Sequence, residues 1–390
     1  MTRIYMDNAA TTRVSEPVFE AMKPYFCEIY GNPSSVHSFG RDARRAVENA
    51  RRQVAKAIGA ESRDVYFTSC GTESDNWALR GAAYAKGNAR KTLVTTAIEH
   101  HAILHTAEQL QKEGFTVKIV PVDENGILRM DELEKAVDDD TFLVSVMAAN
   151  NEIGTLQPIK EAAKIAHRAG ALFHTDAVQA IGSVPISVQE MEIDLLSLSG
   201  HKFHAPKGIG ALYMKSGARV DKFIRGGAQE RGQRAGTENL ASIVGLGAAI
   251  EIACADIDAK NQRIAALRDA LLREILARIP DTLVNGHASL RLPGNANVTF
   301  RGLEGESVLL SLDLKGIAAS SGSACTSGSL ESSHVLAAIG RSPEDARGAL
   351  RFSLGDENTM QEVLETADAL QEIVERLRAM SPVSVCRSNR

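Results

Sequence analysis

The chain has 390 residues, too many for one comfortable hydrophobic core, so two domains are expected. It is 44% hydrophobic and 24% charged, an ordinary globular composition, and a formal net charge of -5 argues against a nucleic-acid partner. The cysteines Cys27, Cys70, Cys254, Cys325 and Cys386 are odd in number, irregular in spacing and without a CxxC pair, which excludes a disulfide framework or thiolate zinc site and points to a reducing, cytoplasmic setting.

The opening run MTRIYMDNAATT lacks the apolar core of a signal peptide, and no apolar stretch reaches the length of a membrane span, so a soluble intracellular chain is expected. Short β-rich runs then follow one another: VYFT (65–68), TLVTTA (92–97), FTVKIVPV (115–122), TFLVSVMAA (141–149), ALFHT (171–175), LLSLS (195–199) and ALYM (211–214). Amphipathic segments such as 44–59 and 159–170 lie between several of them, and the other gaps are wide enough for crossover helices. Seven strands alternating with helices predict an α/β fold with a mostly parallel, helix-covered sheet. From about Ala255 the character changes. Ile264, Leu267, Leu271 and Ile275 mark one face of a long helix, followed by a strand at 295–300, a helix at 305–316, a short strand at 316–320 and a final helix over about 359–380. The last residues, SPVSVCRSNR, read as a frayed tail. The expected division is a large domain over 13–255 and a smaller α+β domain built from 1–12 and 256–390.

The smaller domain carries SSGSACTSGS (320–329), one thiol set in glycine and serine. Packing is a poor reason for such a cysteine, whereas a thiol that must be reached or must move suits it. In LLSLSGHKFHAPKGIG an apolar strand ends at Ser199 and Lys202 follows directly, where α/β proteins place ligands. A lysine there suits a Schiff base with a carbonyl cofactor. Pyridoxal phosphate makes further demands. A carboxylate must hold its ring nitrogen protonated, and ALFHTDAVQA presents Asp176 at a strand end, 26 residues before Lys202, with Gln179 one turn later. An anion cradle is needed, and VYFTSCGTESDN supplies a strand, a glycine turn and a helix start at Gly71 and Thr72. Thr72 and Asp75 suit an ordinary helix cap equally well. His100 follows another strand and could stack on a ring, while His101, His105 and His167 are left structural or exposed. Arg351, inside the strand-like ALRFSLGD, offers a planar fork for a substrate carboxylate, or a structural ion pair.

In this order the motifs resemble the cysteine desulfurases of the NifS/IscS type, in the class V aminotransferase branch of fold-type I pyridoxal-phosphate enzymes. The stretches that carry the resemblance run nearly end to end: YMDNAATT, YGNPSSVHSFG, FTSCGTESDN, NNEIGTLQPI, HTDAVQA, SLSGHKFHAPKG, GGAQERGQRAGTEN, SSGSACTSGSLE and RFSLG. The resemblance implies pyridoxal 5'-phosphate as cofactor and L-cysteine as substrate. It makes Lys202 the Schiff-base lysine, with Ser199, His201, Thr72 and the Gly71 backbone around the phosphate. Asp176 would pair with the ring nitrogen, Gln179 and Asn151 would lie near the ring hydroxyl, and His100 would stack on the ring and carry protons at the substrate thiol. Thr237 would reach the phosphate of a partner subunit, which implies a homodimer with shared active sites. Arg351, helped by Asn8 and Ala9, would hold the substrate carboxylate. Cys325 would accept the sulfur as a persulfide and pass it to an iron–sulfur scaffold or another acceptor protein. No resident metal is implied, with Cys325 left open as a transient iron–sulfur ligand. Cys70 departs from the family, which usually has a small residue there, and reads as a tolerated side chain.

Overall fold

The structure, a computed structural model, describes residues 3–321 and 333–380. Cys325 and the tail from 381 lie outside the described residues. The first strand, β1 (Ile4–Tyr5), joins a later part of the chain. The next seven are β2 (Val65–Thr68), β3 (Thr92–Thr96), β4 (Thr116–Val120), β5 (Thr141–Ser145), β6 (Leu172–Asp176), β7 (Leu195–Ser199) and β8 (Gly210–Met214). They form one sheet in the order β2-β8-β7-β6-β5-β3-β4. Only β8 runs against its neighbours β7 and β2; the other pairings are parallel. All seven anticipated strands are present. β5 ends four residues early: Val146 and Ala148 still give their N–H groups to His174 and Asp176 of β6, but on the β3 side Met147 N–H goes to the Glu99 side chain.

Apolar runs such as LLSLS bury every residue, as strands covered on both faces do. The helix anticipated at 44–59 begins earlier, at Ser38, where the His37 ring accepts from Gly40 N–H (3.3 Å), and it stops at Gly59 in the left-handed region. It packs on the helix Leu240–Ala253, which sequence periodicity misses because that helix is apolar all round. The two approach closely at Gly247, where a Cβ would lie 2.7 Å from Ala50 Cα.

A second sheet, in the order β12-β13-β10-β9, is antiparallel and built from β9 (Thr282–Asn285), β10 (Asn295–Phe300), β12 (Ser320–Ser321) and β13 (Ala349–Ser353). Its core has Leu267, Leu271, Phe300, Phe352 and Leu370 at the centre, and also takes Ile4 and Met6. The N-terminus reaches it through β1, which pairs in parallel with β11 (Ile317–Ala318), and through an isolated bridge from Asp7 to Ser353. The N-terminal strand has only two residues, too short for a period-2 pattern to reveal.

Candidate active site

At the carboxyl ends of β3, β5, β6 and β7 the sheet opens into a cavity of about 320 Å³. The strand ends deliver the lining: His100 after β3, Asn151 after β5, Asp176 at the end of β6, Ser199 at the end of β7, and His201 and Lys202 just beyond it. β2 runs parallel to β7 through the intervening β8, so its carboxyl end reaches the same edge and starts the helix Gly71–Ala83 there.

The floor is a set of buried acids. Asp176 accepts Val178 N–H (2.9 Å); burial pushes its carboxyl up to about 6, while that N–H and Lys202 hold it down. Asp75, fully enclosed, is also raised well above the ordinary carboxyl range, by burial and then by Asp176. Its Oδ1 has no hydrogen-bond partner among the described residues. His174 lies below, bonded to the hydroxyls of Ser145 (2.9 Å) and Ser197 (3.0 Å), and burial drives its ring down to about 3, so it stays neutral. Glu99 accepts the Thr96 hydroxyl (2.7 Å) and Met147 N–H (2.9 Å), yet burial lifts it to about 8.

At the helix start, Cys70 is the N-cap and no side chain caps the helix. The cap reading of Thr72 and Asp75 therefore falls away, and the first N–H groups of the helix face the cavity end where Gly71, Thr72, Ser199 and His201 gather. A Cβ on Gly71 would lie 2.7 Å from Val178 Cγ2 and 3.3 Å from Ser199 Cβ, which is why glycine stands there. Burial, then Lys202 and Lys207, push His201 down to about 4; its Nδ1 lies 3.1 Å from the Thr11 hydroxyl. His100 caps its own helix, its Nδ1 accepting Ala102 N–H (3.1 Å). Burial and then the Lys202 charge lower it to about 4. The neutral ring therefore carries its proton on Nε2, ready to donate.

The opposite wall comes from the second sheet and the N-terminus. Arg351 on β13 is buried, giving Nη1 to Asn151 O (2.9 Å) and Nη2 to Asp7 Oδ1 (3.1 Å). Its Nε has no partner among the described residues. Lys202 donates to the carbonyls of Ala9 (2.7 Å) and Ala10 (2.9 Å), and Gln179 also donates to Ala9 O (2.9 Å). Asn8 turns its amide to Ser353 O (2.9 Å) and lines a second cavity, about 220 Å³, behind Ala9 and Lys202. Thr237 is exposed and outside both cavities. The segment that contains Cys325 leaves from Ser321, paired beside Arg351, and rejoins at Ser333, whose hydroxyl donates to Glu152 Oε2 (2.5 Å) in the cavity wall.

Residues 4–365 match the aminotransferase class-V family. The chain belongs to that family. Among relatives, a cysteine desulfurase IscS of Methanosarcina thermophila is 54% identical over 381 residues, covering 98% of this chain and 94% of the relative. A cysteine desulfurase of Nostoc is 50% identical over 382 residues, 98% of this chain and 95% of the relative. A solved NifS-like protein superposes with a TM-score of 0.91 at 40% identity, over 96% of this chain and all of the other (100%). The NifS-like protein of Rickettsia africae gives 0.86 at 32% identity, over 96% and 100%.

The fold is thus that of the fold-type I pyridoxal-phosphate enzymes, and the class-V family works with that cofactor. The residues fit the group. A Cβ would encroach on the cradle at Gly71, the helix N-terminus offers donors to an anion, and an unpartnered buried carboxyl oxygen lies on the floor beside Asp176. Sequence reasoning missed Asp7, Glu99 and Glu152. The first pairs with Arg351 across 344 positions, a distance at which a sequence gives no local signal. Glu99 and Glu152 did carry one, each being an acid directly beside a residue already singled out.

Proposed function

We propose that this class-V enzyme is a cysteine desulfurase that moves the sulfur of L-cysteine to Cys325 as a persulfide and releases L-alanine. One observation carries it: an amine, a buried carboxylate and a buried guanidinium (Lys202, Asp176 and Arg351) face one cavity, and the segment with Cys325 starts and ends on its rim. Cys325 stands four residues after Ser321, a reach of up to about 14 Å of extended chain. The relatives named as cysteine desulfurases agree.

Pyridoxal phosphate, when bound, supplies an electron sink for the substrate's Cα electrons. Gly71, Thr72, Ser199 and His201 would hold its phosphate, Asp176 would keep a proton at its ring nitrogen, and Asn151 and Gln179 would serve its hydroxyl. Lys202 would anchor the group and, once released, move the proton at the substrate Cα. Its two carbonyl partners pre-orient the amine. Arg351 grips the substrate carboxylate, with the N-terminal segment at Asn8 and Ala9 beside it. Cys325 as thiolate attacks the substrate sulfur: an S–S bond forms, the Cβ–S bond breaks, and its electron pair stays with the carbon skeleton, which takes up a proton on the way to alanine. His100, holding its proton on Nε2, serves proton transfer at that sulfur. The persulfide would then pass to an acceptor protein, which we read as an iron–sulfur scaffold or another sulfur acceptor.

We further read the enzyme as a cytoplasmic homodimer in which Thr237, exposed on its own chain, reaches the phosphate of the second subunit. Cys27, Cys70 and Cys254 are free thiols, in keeping with a reducing compartment. The domain division lies near residues 12 and 255, with 1–12 joining the C-terminal part.

The test is incubation of the cofactor-loaded protein with L-cysteine, quantifying alanine and mapping persulfide by mass spectrometry, alongside Cys325→Ala. Alanine and a persulfide on Cys325, both lost in the variant, are expected. Alanine formation that survives the substitution would take Cys325 out of the reaction and leave an aminotransferase-like activity.

A further inference from the structure

Behind the anion cradle lie two ion pairs that the chemistry above does not use, one half-buried and one fully buried. Arg234 gives Nε to Glu73 Oε1 (2.8 Å) and Nη2 to Glu73 Oε2 (3.0 Å). The same Oε2 takes the Ser69 N–H (2.7 Å) and hydroxyl (2.5 Å). Burial alone would raise the Glu73 carboxyl, but Arg234 and Ser69 hold it below its ordinary value, so it stays charged. One carboxylate thus ties the turn that leads into Gly71 to a loop whose Thr237 stands three residues beyond Arg234.

The second pair fixes the other end of that loop. Arg51 meets Glu230 through Nη1 (2.6 Å) and Nη2 (2.9 Å), and Glu230 Oε2 also receives Phe67 N–H (3.0 Å) of β2. Glu230 and Arg231 are both left-handed, at φ +47° and +56°. Non-glycine residues resist that conformation, so the loop is bent against its own preference and kept there by its anchors. Removing one partner of a buried pair leaves a charge stranded, which makes such anchors stiff.

We propose that the Glu73–Arg234 pair is a strut that makes the cradle turn of its own chain and the Thr237 loop one rigid body, so that in the dimer the two cofactor sites are energetically linked. The proposal rests on the reading that Thr237 serves the partner's phosphate. A phosphate held in one cradle stills the Ser69–Thr72 turn, the strut passes that order to Thr237, and the partner's site then has less freedom to lose on binding. Glu73 and Arg234 are positioning residues in this account, since neither lines the catalytic cavity.

The experiment equilibrates the full-length dimer with graded concentrations of pyridoxal phosphate and follows bound cofactor by absorbance, with assembly state from sedimentation. In the wild-type dimer the second equivalent should bind about 5-fold or more tightly than the first, the scale usual for coupling between sites. Arg234→Met and Glu73→Gln should each make the two sites equal and weaken both about 10-fold while the dimer persists. Glu73→Gln keeps an acceptor for Ser69, so it serves if Arg234→Met does not fold. Equal, independent sites in the wild type, or unequal sites that persist in both variants, would overturn the strut. Thr237→Val tests the reading beneath it. Weakened cofactor binding there supports the shared site, whereas wild-type binding removes the shared site and the linkage with it.

Discussion

The two walls of the catalytic cavity are built in opposite ways. The floor is intrachain and local: Asp176, Ser199 and Lys202 sit within a few residues of strand ends whose parallel register fixes them. The facing wall is long-range, with Arg351 meeting Asp7 and Asn151 across 344 and 200 positions. A floor set by a packed sheet is stiff, because moving one group means breaking strand pairing. A wall made where two separate hydrophobic cores meet depends on how the halves lie against each other. Chemistry at the cofactor is therefore expected on the floor and recognition of substrate on the wall.

Substitutions can break that division, and the largest effect should fall on the floor. Lys202→Ala should cut kcat by about 10³-fold or more and abolish the absorbance of lysine-bound cofactor, read by spectrophotometry and an alanine assay. A residual activity near wild type would end the assignment. Asp176→Asn keeps the size of the side chain but not its charge, and kcat should fall about 10²-fold with KM little changed. On the wall, Arg351→Lys should raise KM for L-cysteine about 10-fold or more and leave kcat nearly intact, since a lysine cannot reproduce the planar fork. A kcat effect as large as that of Asp176→Asn would mean that the two walls do not divide the work.

A separate effect, on stability and not on turnover, concerns pH. Glu99 has its folded pKa raised by burial from 4.5 to about 8, so the stability it contributes is fully present below about 4.5 and is lost as pH rises through about 8. Each unit of such a shift is worth about 1.4 kcal/mol. Glu99→Gln, which cannot ionise, should therefore gain stability relative to wild type between pH 5 and 8, roughly the window set by that shift. Urea titrations of both proteins across that range give the comparison, and a constant difference would show that Glu99 does not titrate there.

The same contrast explains what the sequence made legible. Groups on the floor stand directly after apolar runs, so LLSLSGHK and ALFHTDAV expose Lys202 and Asp176 to any reader who looks at strand ends. The partner of Arg351 was hidden, because YMDNAATT carries no period and its two-residue strand is defined only by pairing with Ile317 and Ala318. The helix Leu240–Ala253 was invisible for the opposite reason: a helix apolar almost all round has no polar face to give it a rhythm. Thr72 and Asp75 looked like caps, and only tertiary packing revealed the second as a buried floor acid.

The stitching of the N-terminus to β11 and β13 has a consequence for biosynthesis. Ile4, Met6 and Asn8 take their partners from Gly316, Ala318 and Ser353, residues made long after them. The seven-stranded sheet can pair while those residues are still being made, but the carbonyls of Ala9 and Ala10 that restrain Lys202 cannot be pinned from the C-terminal side until Ser353 has emerged. The pocket around the Lys202 amine is thus begun early, where Thr11 and Thr12 bind His201, and completed late, when Ser353 becomes available to Ala9.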